Sequence, residues 1–276
     1  MVIEFLFFYQ HSKSQKKNST CSTKIMQIKD KVAIVTGGAN GFGAALARRL
    51  VREGARVIIG DIDKKSGQNL ETELNQINKI NAKFVFCDVT NFEHLRQLFE
   101  TAQNTFGGVD ILCNNAGIAQ PNEFYDQTDR WKKTIDINLN SVIKGTQLGI
   151  QFMKKHGGGV IVNTASMSAF YPLTIAPIYS ATKRAVIGFT QSLRDLNDTD
   201  KIRVNVVSPA FVDTNLTREM MAKSELFEQM IKKFGLVPID EVINAFIMAI
   251  QDDKLAGDTI MLPKANRLKI MQKSSL

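Results

Sequence analysis

Cysteine, histidine and proline are all scarce in this chain of 276 residues, which holds 3 Cys, 3 His and 6 Pro. The thiols Cys21, Cys87 and Cys113 are odd in number and form no Cys-x-x-Cys pair, so a disulfide framework is excluded. Cys87 and Cys113 fall inside apolar runs, as reduced core residues do. His11, His94 and His156 are scattered without metal-ligand spacing, so no metal site is expected. Prolines never cluster, and no internal repeat or low-complexity region argues for a second domain. No segment approaches the roughly 20 apolar residues of a membrane span. Phe5-Leu6-Phe7-Phe8-Tyr9 is too short, and it has neither a positive region before it nor a small-residue cleavage site after it. The final Ser274-Ser275-Leu276 lacks the central basic residue of a peroxisomal address. The expected location is cytoplasmic.

Charge of one sign is not lacking, since the net charge is +8, but it is poorly concentrated. Lys13, Lys16, Lys17 and Lys24 stand against Glu4 near the start, and Lys264, Arg267, Lys269 and Lys273 near the end. These read as solvated tails and not as a groove-reading surface, so no nucleic-acid partner is expected. The chain divides into a disordered or dispensable tail over 1–25, one domain over 26–265 and a basic tail over 266–276.

Within that domain, short apolar β-branched runs alternate with amphipathic helical patterns. Strands are expected at Lys31–Thr36, Arg56–Gly60, Lys83–Cys87, Val109–Cys113, Val160–Asn163, Arg203–Val207 and Thr259–Leu262. Helices are expected at Gly43–Arg52, Lys65–Asn78, Phe92–Phe106, Asp129–Lys155, Tyr179–Leu196, Glu219–Phe234 and Asp240–Gln251. Strands apolar throughout are buried on both faces, the mark of a parallel sheet covered by helices. The expected fold is α/β: a single doubly wound Rossmann-like domain, a seven-stranded parallel sheet with helices on both faces.

Directly after the first strand comes Thr36-Gly37-Gly38-Ala39-Asn40-Gly41-Phe42-Gly43, which opens the first helix. Gly37 and Gly41 let the backbone approach a pyrophosphate, with Asn40 and Phe42 beside it. Gly43 lets helix and strand pack closely, and the helix N-terminus offers free N–H groups to the anion. Asp61 ends the second strand, followed by Ile62; a carboxylate there accepts both ribose hydroxyls of an adenosine and repels a 2′-phosphate, which selects NAD. Asp88-Val89 ends the third strand, where a side chain can reach an adenine. Asn114-Asn115-Ala116-Gly117 ends the fourth, with small residues suited to lie against a cofactor. Each of these also has a plain use as a helix cap or turn former.

Tyr179 and Lys183 are four residues apart, so on a helix they share a face, and Ser166 lies thirteen positions upstream. A cation beside a phenol favours the phenolate and lowers a pKa otherwise near 10. Such a Tyr can take the proton of an alcohol, which is half of an alcohol oxidation.

Taken in order and spacing, Thr36-Gly37…Gly41-Phe42-Gly43, Asn114-Asn115-Ala116-Gly117, Asn138, Ser166 and Tyr179-x-x-x-Lys183 resemble the short-chain dehydrogenase/reductase family over residues 28 to about 262. Within it, Asp61, Cys87-Asp88-Val89, Pro177-Ile178-Tyr179, Gly188-Phe189-Thr190, Phe211-Val212-Asp213-Thr214 and Ile250-Gln251-Asp252-Asp253 are similar to the NAD-dependent 15-hydroxyprostaglandin dehydrogenase group and the related insect-type alcohol dehydrogenases. The resemblance implies an NAD-dependent alcohol dehydrogenase acting as a homodimer. It implies Tyr179 as general base, Lys183 as holder of the nicotinamide ribose, and Ser166 as a hydrogen-bond partner of the substrate oxygen. Asn138 is implied to hold a relay water, with a capping or kinking Asn as the plain alternative. Pro209, Phe211, Val212 and Thr214 are implied to contact the nicotinamide.

Three positions depart from the pattern. Phe42 replaces Ile or Leu, and Ala210 replaces Gly. Ala176 stands where the prostaglandin dehydrogenases carry a substrate-binding Gln, which puts prostaglandin itself in doubt as substrate. Substrate contacts are expected from Ser168, Ala176, Leu216, Met220, Met221 and Phe227, with Ala169, Phe170 and Pro172 as the opposite wall. Residues 213–238 form the expected lid, although an apolar stripe at helical spacing is more often core than pocket. A Met-rich lid fits a bulky apolar secondary or allylic alcohol of prostaglandin, isoprenoid, retinoid or steroid type. A carbonyl reductase working in reverse and a non-catalytic NAD-binding protein are the alternatives.

Overall fold

A computed structural model describes residues 25–77, 81–120 and 128–272. Except for Ile25, the expected N-terminal tail lies outside the described residues, as do His11, Cys21, Asn78 at the end of the second expected helix, and the last four residues.

Chain order follows the alternation of pattern. β1 (Val32–Thr36), α1 (Gly41–Arg52), β2 (Arg56–Asp61), α2 (Lys64–Ile77), β3 (Ala82–Phe86), α3 (Phe92–Phe106) and β4 (Ile111–Asn114) make the first half. The second half begins with α4 (Trp131–Ile135), a π turn over Asp136–Asn140 and α5 (Ser141–His156). It continues through β5 (Gly159–Thr164), a 3₁₀ turn over Met167–Ala169, α6 (Pro177–Gln191), α7 (Leu196–Asp200) and β6 (Ile202–Pro209). α8 (Asn215–Lys223), α9 (Glu225–Phe234), α10 (Ile239–Gln251), β7 (Thr259–Lys264) and β8 (Arg267–Met271) complete the described chain.

The strands lie in the order β3-β2-β1-β4-β5-β6-β7-β8, parallel from β3 to β7. β1 and β6 are buried at every position, as strands covered on both faces must be. One face packs α1, α2 and α10 around Leu46, Leu50, Leu74 and Phe246. The other packs α3 and α5 around Leu98, Phe99, Leu148 and Met153. The order reverses between β1 and β4, and at such a switch point a crevice opens outside the carboxyl ends of the strands.

Among the described residues the sheet has eight strands, one more than expected. β8 pairs antiparallel with β7 through a two-residue turn in which Asn266 takes a positive φ of 56°. It falls inside the expected basic tail: an edge strand is half solvated, so Arg267 and Lys269 interrupt the apolar run that marks the buried strands. Two expected helices also divide. The 129–155 stretch is broken by the π turn, and the 219–234 stretch by Ser224, whose hydroxyl caps α9 by accepting from Phe227 N–H. α6 begins two residues before Tyr179 and ends at Gln191, short of the expected Leu196. No helix among the described residues is long and apolar enough to cross a membrane.

Candidate active site

The crevice at the switch point is a cleft of about 560 Å³. Its floor at one end is the β1–α1 turn, where Gly37 and Gly41 take φ of +61° and +52°. A Cβ on Gly37 would stand 2.8 Å from Ala116 Cα, and one on Gly43 would stand 2.0 Å from the Gly37 carbonyl. Gly43 therefore serves helix–strand packing from beneath, while Gly37, Asn40, Gly41 and Phe42 line the cleft. The N-terminus of α1 has no side-chain cap, because Asn40 turns its amide to Asp63 (3.2 Å). Uncapped N–H groups at a cleft wall suit an anion.

Asp61 is fixed where β2 ends: its carboxylate accepts from Ala39 N–H (2.9 Å) and Asp63 N–H (3.0 Å). Ile62 beside it is 65% exposed, so it offers an apolar face at the cleft mouth. Asp88 accepts from the Thr90 backbone and hydroxyl, bonds that hold its carboxyl below the usual carboxylate range. Asn115 reaches back to the carbonyls of Thr36 (3.0 Å) and Gly37 (3.1 Å), and Thr36 Oγ1 accepts from the N–H groups of Asn115 and Ala116. These bonds set the separation of β1 and β4 that the cleft needs.

Ser166, Tyr179 and Lys183 meet on the far wall. Ser166 follows β5 and accepts from Ser168 N–H (3.2 Å), which leaves its own hydroxyl proton free to donate. Tyr179 is partly exposed as a whole, but desolvation around its hydroxyl raises its pKa, and the hydrogen bond with Ser166 offsets part of that rise. The net direction is upward, opposite to the expected lowering. The cause is the burial of the phenol itself, and the same burial acts on its neighbour: Lys183 is 3% exposed, and desolvation pulls its pKa down to about 8. The Lys183 ammonium donates to Thr164 O (2.9 Å) and lies 5.7 Å from the centre of the Tyr179 ring.

Asn138 is fully buried in the π turn, where its amide bonds both the N–H and the carbonyl of Ile118 at 2.9 Å. A Cβ on Gly117 would stand 3.3 Å from Asn138 Oδ1 and 3.5 Å from Lys183 Nζ, so both groups converge on that glycine. π turns recur at functional sites.

Pro209 at the end of β6 and Phe211, Val212 and Thr214 after it line the cleft, with Thr214 also capping α8. Of the expected substrate contacts, Leu216, Met220 and Phe227 line it. Ala176 and Met221 pack behind it in a cluster with Ile231, and Ser168 is buried outside it. Leu173 takes the place expected of Ala169, Phe170 and Pro172. Lys133, Ile137, Thr217 and Glu219 also line the cleft and carried no motif that would have marked them.

The fold and the cleft are those of a doubly wound α/β domain with a crevice at its switch point, and comparison with known proteins gives its class. A family model described as short chain dehydrogenase matches residues 31–225. The 15-hydroxyprostaglandin dehydrogenase (NAD(+)) of Mus musculus is 36% identical over 248 residues, covering 84% of this chain and 89% of its own. Its Homo sapiens counterpart is 33% identical over 247 residues, covering 84% and 90%. The crystal structure of a short-chain type dehydrogenase/reductase from Mycobacterium marinum superposes with a TM-score of 0.79 at 26% identity, over 86% of this chain and 95% of that one. The chain belongs to the short-chain dehydrogenase family, and within it lies near the 15-hydroxyprostaglandin dehydrogenase group.

Proposed function

We propose that the protein is an NAD-dependent alcohol dehydrogenase acting on a bulky apolar secondary or allylic alcohol, with Tyr179 as its general base. The observation that carries this reading is the convergence of Ser166, Tyr179 and Lys183 on one wall of the cleft that Asp61 closes at its other end. When bound, NAD supplies the hydride acceptor. Gly37, Gly41 and the uncapped start of α1 would hold its pyrophosphate, and Asp61 its adenosine ribose, where a 2′-phosphate would be repelled. Asp88 and Val89 would border the adenine, and Pro209, Phe211, Val212 and Thr214 the nicotinamide.

The residues themselves handle the proton. The single Ser166 hydroxyl proton serves the substrate oxygen or the Tyr179 phenolate, stabilising whichever carries the negative charge. Tyr179, as the phenolate, takes the alcohol proton and becomes the phenol, and the buried Lys183 ammonium, in poorly screened surroundings, favours the phenolate form from which the step starts. Asn138 anchors Ile118 and so holds Gly117 against the ammonium. Apolar Leu173, Leu216, Met220 and Phe227 exclude water from the reacting carbon. The likeness to the 15-hydroxyprostaglandin dehydrogenases supports a large lipophilic substrate, and Ala176, without a polar group, supports one other than prostaglandin.

One observation favours a second reading. Burial keeps the Tyr179 phenol protonated at rest, the form needed to donate a proton in carbonyl reduction. Asp61 weighs against it, because reductive metabolism draws mainly on the phosphorylated cofactor. A purely cofactor-binding protein has no need of all three of Ser166, Tyr179 and Lys183.

The test is reduction of NAD and of NADP with a panel of prostaglandin E2, farnesol, retinol, a steroid alcohol and 2-octanol. Tyr179→Phe should lower turnover at least about a thousandfold while NAD affinity, read by titration, stays within about twofold. Substantial residual turnover in that variant would remove Tyr179 from the role of base.

A further inference from the structure

The catalytic helix α6 starts without a cap of its own. Its N-cap residue is Ala176, with no side-chain oxygen to offer, and Pro177 at the first helical position has no N–H. The first intrahelical bond runs from Ser180 N–H to the Ala176 carbonyl (3.0 Å). The N–H groups of Ile178 and Tyr179 thus precede the helical ladder, and in most helices an N-cap Ser, Thr or Asp would serve one of them. Here Ile178 N–H donates to Gln120 Oε1 at 2.9 Å, from a residue 58 positions away in sequence. Gln120 occupies the position in space that a local cap would fill.

The segment carrying Gln120 also connects the two ends of the cleft. Asn115 is bolted to Thr36 and Gly37, Gly117 lies against Asn138 and Lys183, and Ile118 is clamped on both its backbone groups by Asn138. Two residues further on, Gln120 reaches the first turn of α6, next to Tyr179. On its other side the same turn is tied to the cleft wall by Ser180, whose hydroxyl accepts from Leu173 N–H (3.0 Å). Tyr179 stands between these two ties, so its hydroxyl is placed relative to the β4 end of the cleft through Gln120.

We propose that Gln120 is a positioning residue for Tyr179: it caps α6 from across the cleft in place of Ala176 and so sets the phenol against Ser166 and the cofactor side of the cleft. This rests on Tyr179 being the base. It explains how α6 tolerates Ala at a position where a capping or substrate-binding side chain would otherwise sit. Displacing a reacting group by a fraction of an ångström to one ångström lowers rates by one to two powers of ten.

The experiment compares Gln120→Met, which keeps the size of the side chain and loses the acceptor, with Gln120→Glu, which keeps the acceptor. Both are measured against the unmodified enzyme and Tyr179→Phe, with NAD and farnesol or 2-octanol, whichever the unmodified enzyme turns over faster. Gln120→Met should lower kcat about tenfold, leave the KM for NAD within about twofold, and move the alkaline rise of kcat to higher pH. Tyrosinate absorbance, titrated in NAD-saturated protein and differenced against Tyr179→Phe, should move the same way with no substrate present. Gln120→Glu should keep kcat within about threefold. Unchanged kcat and tyrosinate titration in Gln120→Met overturn the proposal, whatever its melting temperature; so does an equal loss in both Gln120 variants. If Gln120→Met does not fold, Gln120→Asn, which keeps the amide without the reach, is read in the same way. An inactive Tyr179→Phe beside an unaffected Gln120→Met removes the positioning role alone, whereas an active Tyr179→Phe removes the base.

Discussion

The two ends of the cleft are built by different means. Around the β1–α1 turn, position is set by main chain: a Cβ has no room on Gly37 or Gly43, and Asn115, Thr36 and Asp61 lock neighbouring strand ends through bonds to backbone groups. Over the lid, position is set by side chains. Residues 213–236 loop out beyond β6, and their two feet meet in an isolated bridge between Val212 and Val237, fastened by Val237 N–H on Phe211 O (2.7 Å). The contacts that hold this segment include an edge-to-face pair of Phe211 and Phe227, the Asp213–Arg218 and Glu228–Lys232 ion pairs, both with an exposed partner, and flexible Met220, Met221 and Met230. Exposed ion pairs contribute little, and thioethers repack readily. A cradle fixed by backbone accepts one kind of group, whereas a lid held by Met and Phe can change what it admits without disturbing the chemistry beneath it.

The sharpest way to break this contrast is at Gly43. Its missing Cβ would meet the Gly37 carbonyl at 2.0 Å and Asn115 Nδ2 at 2.8 Å, so Gly43→Ala must push α1 away from the turn that would hold the pyrophosphate. NAD affinity should fall about a hundredfold or more by calorimetric titration, a loss near 3 kcal/mol. Gly41→Ala is the control: φ is +52°, yet the nearest foreign atom to its Cβ is Thr214 Cγ2 at 3.8 Å, so the change costs only the strain of the left-handed conformation, about 1 kcal/mol. Equal losses in the two variants would mean that backbone conformation, not close approach, defines the cradle.

Where cradle and lid meet, Lys183 sharpens the comparison through stability. Its pKa drops from 10.5 to about 8 because burial penalises the ammonium. At about 1.4 kcal/mol per unit this is a penalty near 3 kcal/mol, carried in full below pH 8 and lost as pH rises toward 10.5, where the unfolded chain too gives up its proton. Lys183→Met removes the penalty but leaves Thr164 O without its donor, at a cost of about 1 kcal/mol. The variant should be inactive and yet about 2 kcal/mol more stable at pH 7 in urea unfolding, with the advantage shrinking above pH 8. An advantage that is constant with pH would assign the difference to packing.

Legibility followed the same division. The glycine turn, Asp61 and the trio of Ser166, Tyr179 and Lys183 were readable because each depends on residue type at a fixed distance from a strand end, and strands buried on both faces are plain in sequence. β8 was not, since an edge strand carrying Arg267 and Lys269 resembles a solvated tail. The π turn at Asn138 was not, because one wide turn leaves the helical period nearly intact. The direction of the Tyr179 shift was misjudged because a sequence shows that a cation is near but not that both groups are buried. Gln120 carried no signal at all: a bond spanning 58 residues exists only once the fold has brought the segment after β4 to the start of α6. In the lid, apolar residues at helical spacing did not reveal which of them face the cleft.

That last ambiguity sets the smallest and most discriminating effect. Met220 and Met221 are both partly buried and both pack against the apolar cluster around Phe227 and Ile231, but only Met220 also lines the cleft. Met220→Ala should change the KM values of the alcohol panel by about three- to tenfold, and unequally, because losing a few methylenes of contact is worth about 1 kcal/mol and depends on the ligand's shape. Met221→Ala should leave the ranking of alcohols as it was and lower stability by about 1 kcal/mol, since its neighbours can partly close the gap. In both variants the KM for NAD should remain within about twofold, because neither residue touches the cradle. If the two substitutions reorder the panel alike, the lid acts as one deformable body, and selectivity belongs to its packing as a whole more than to the side chains at its surface.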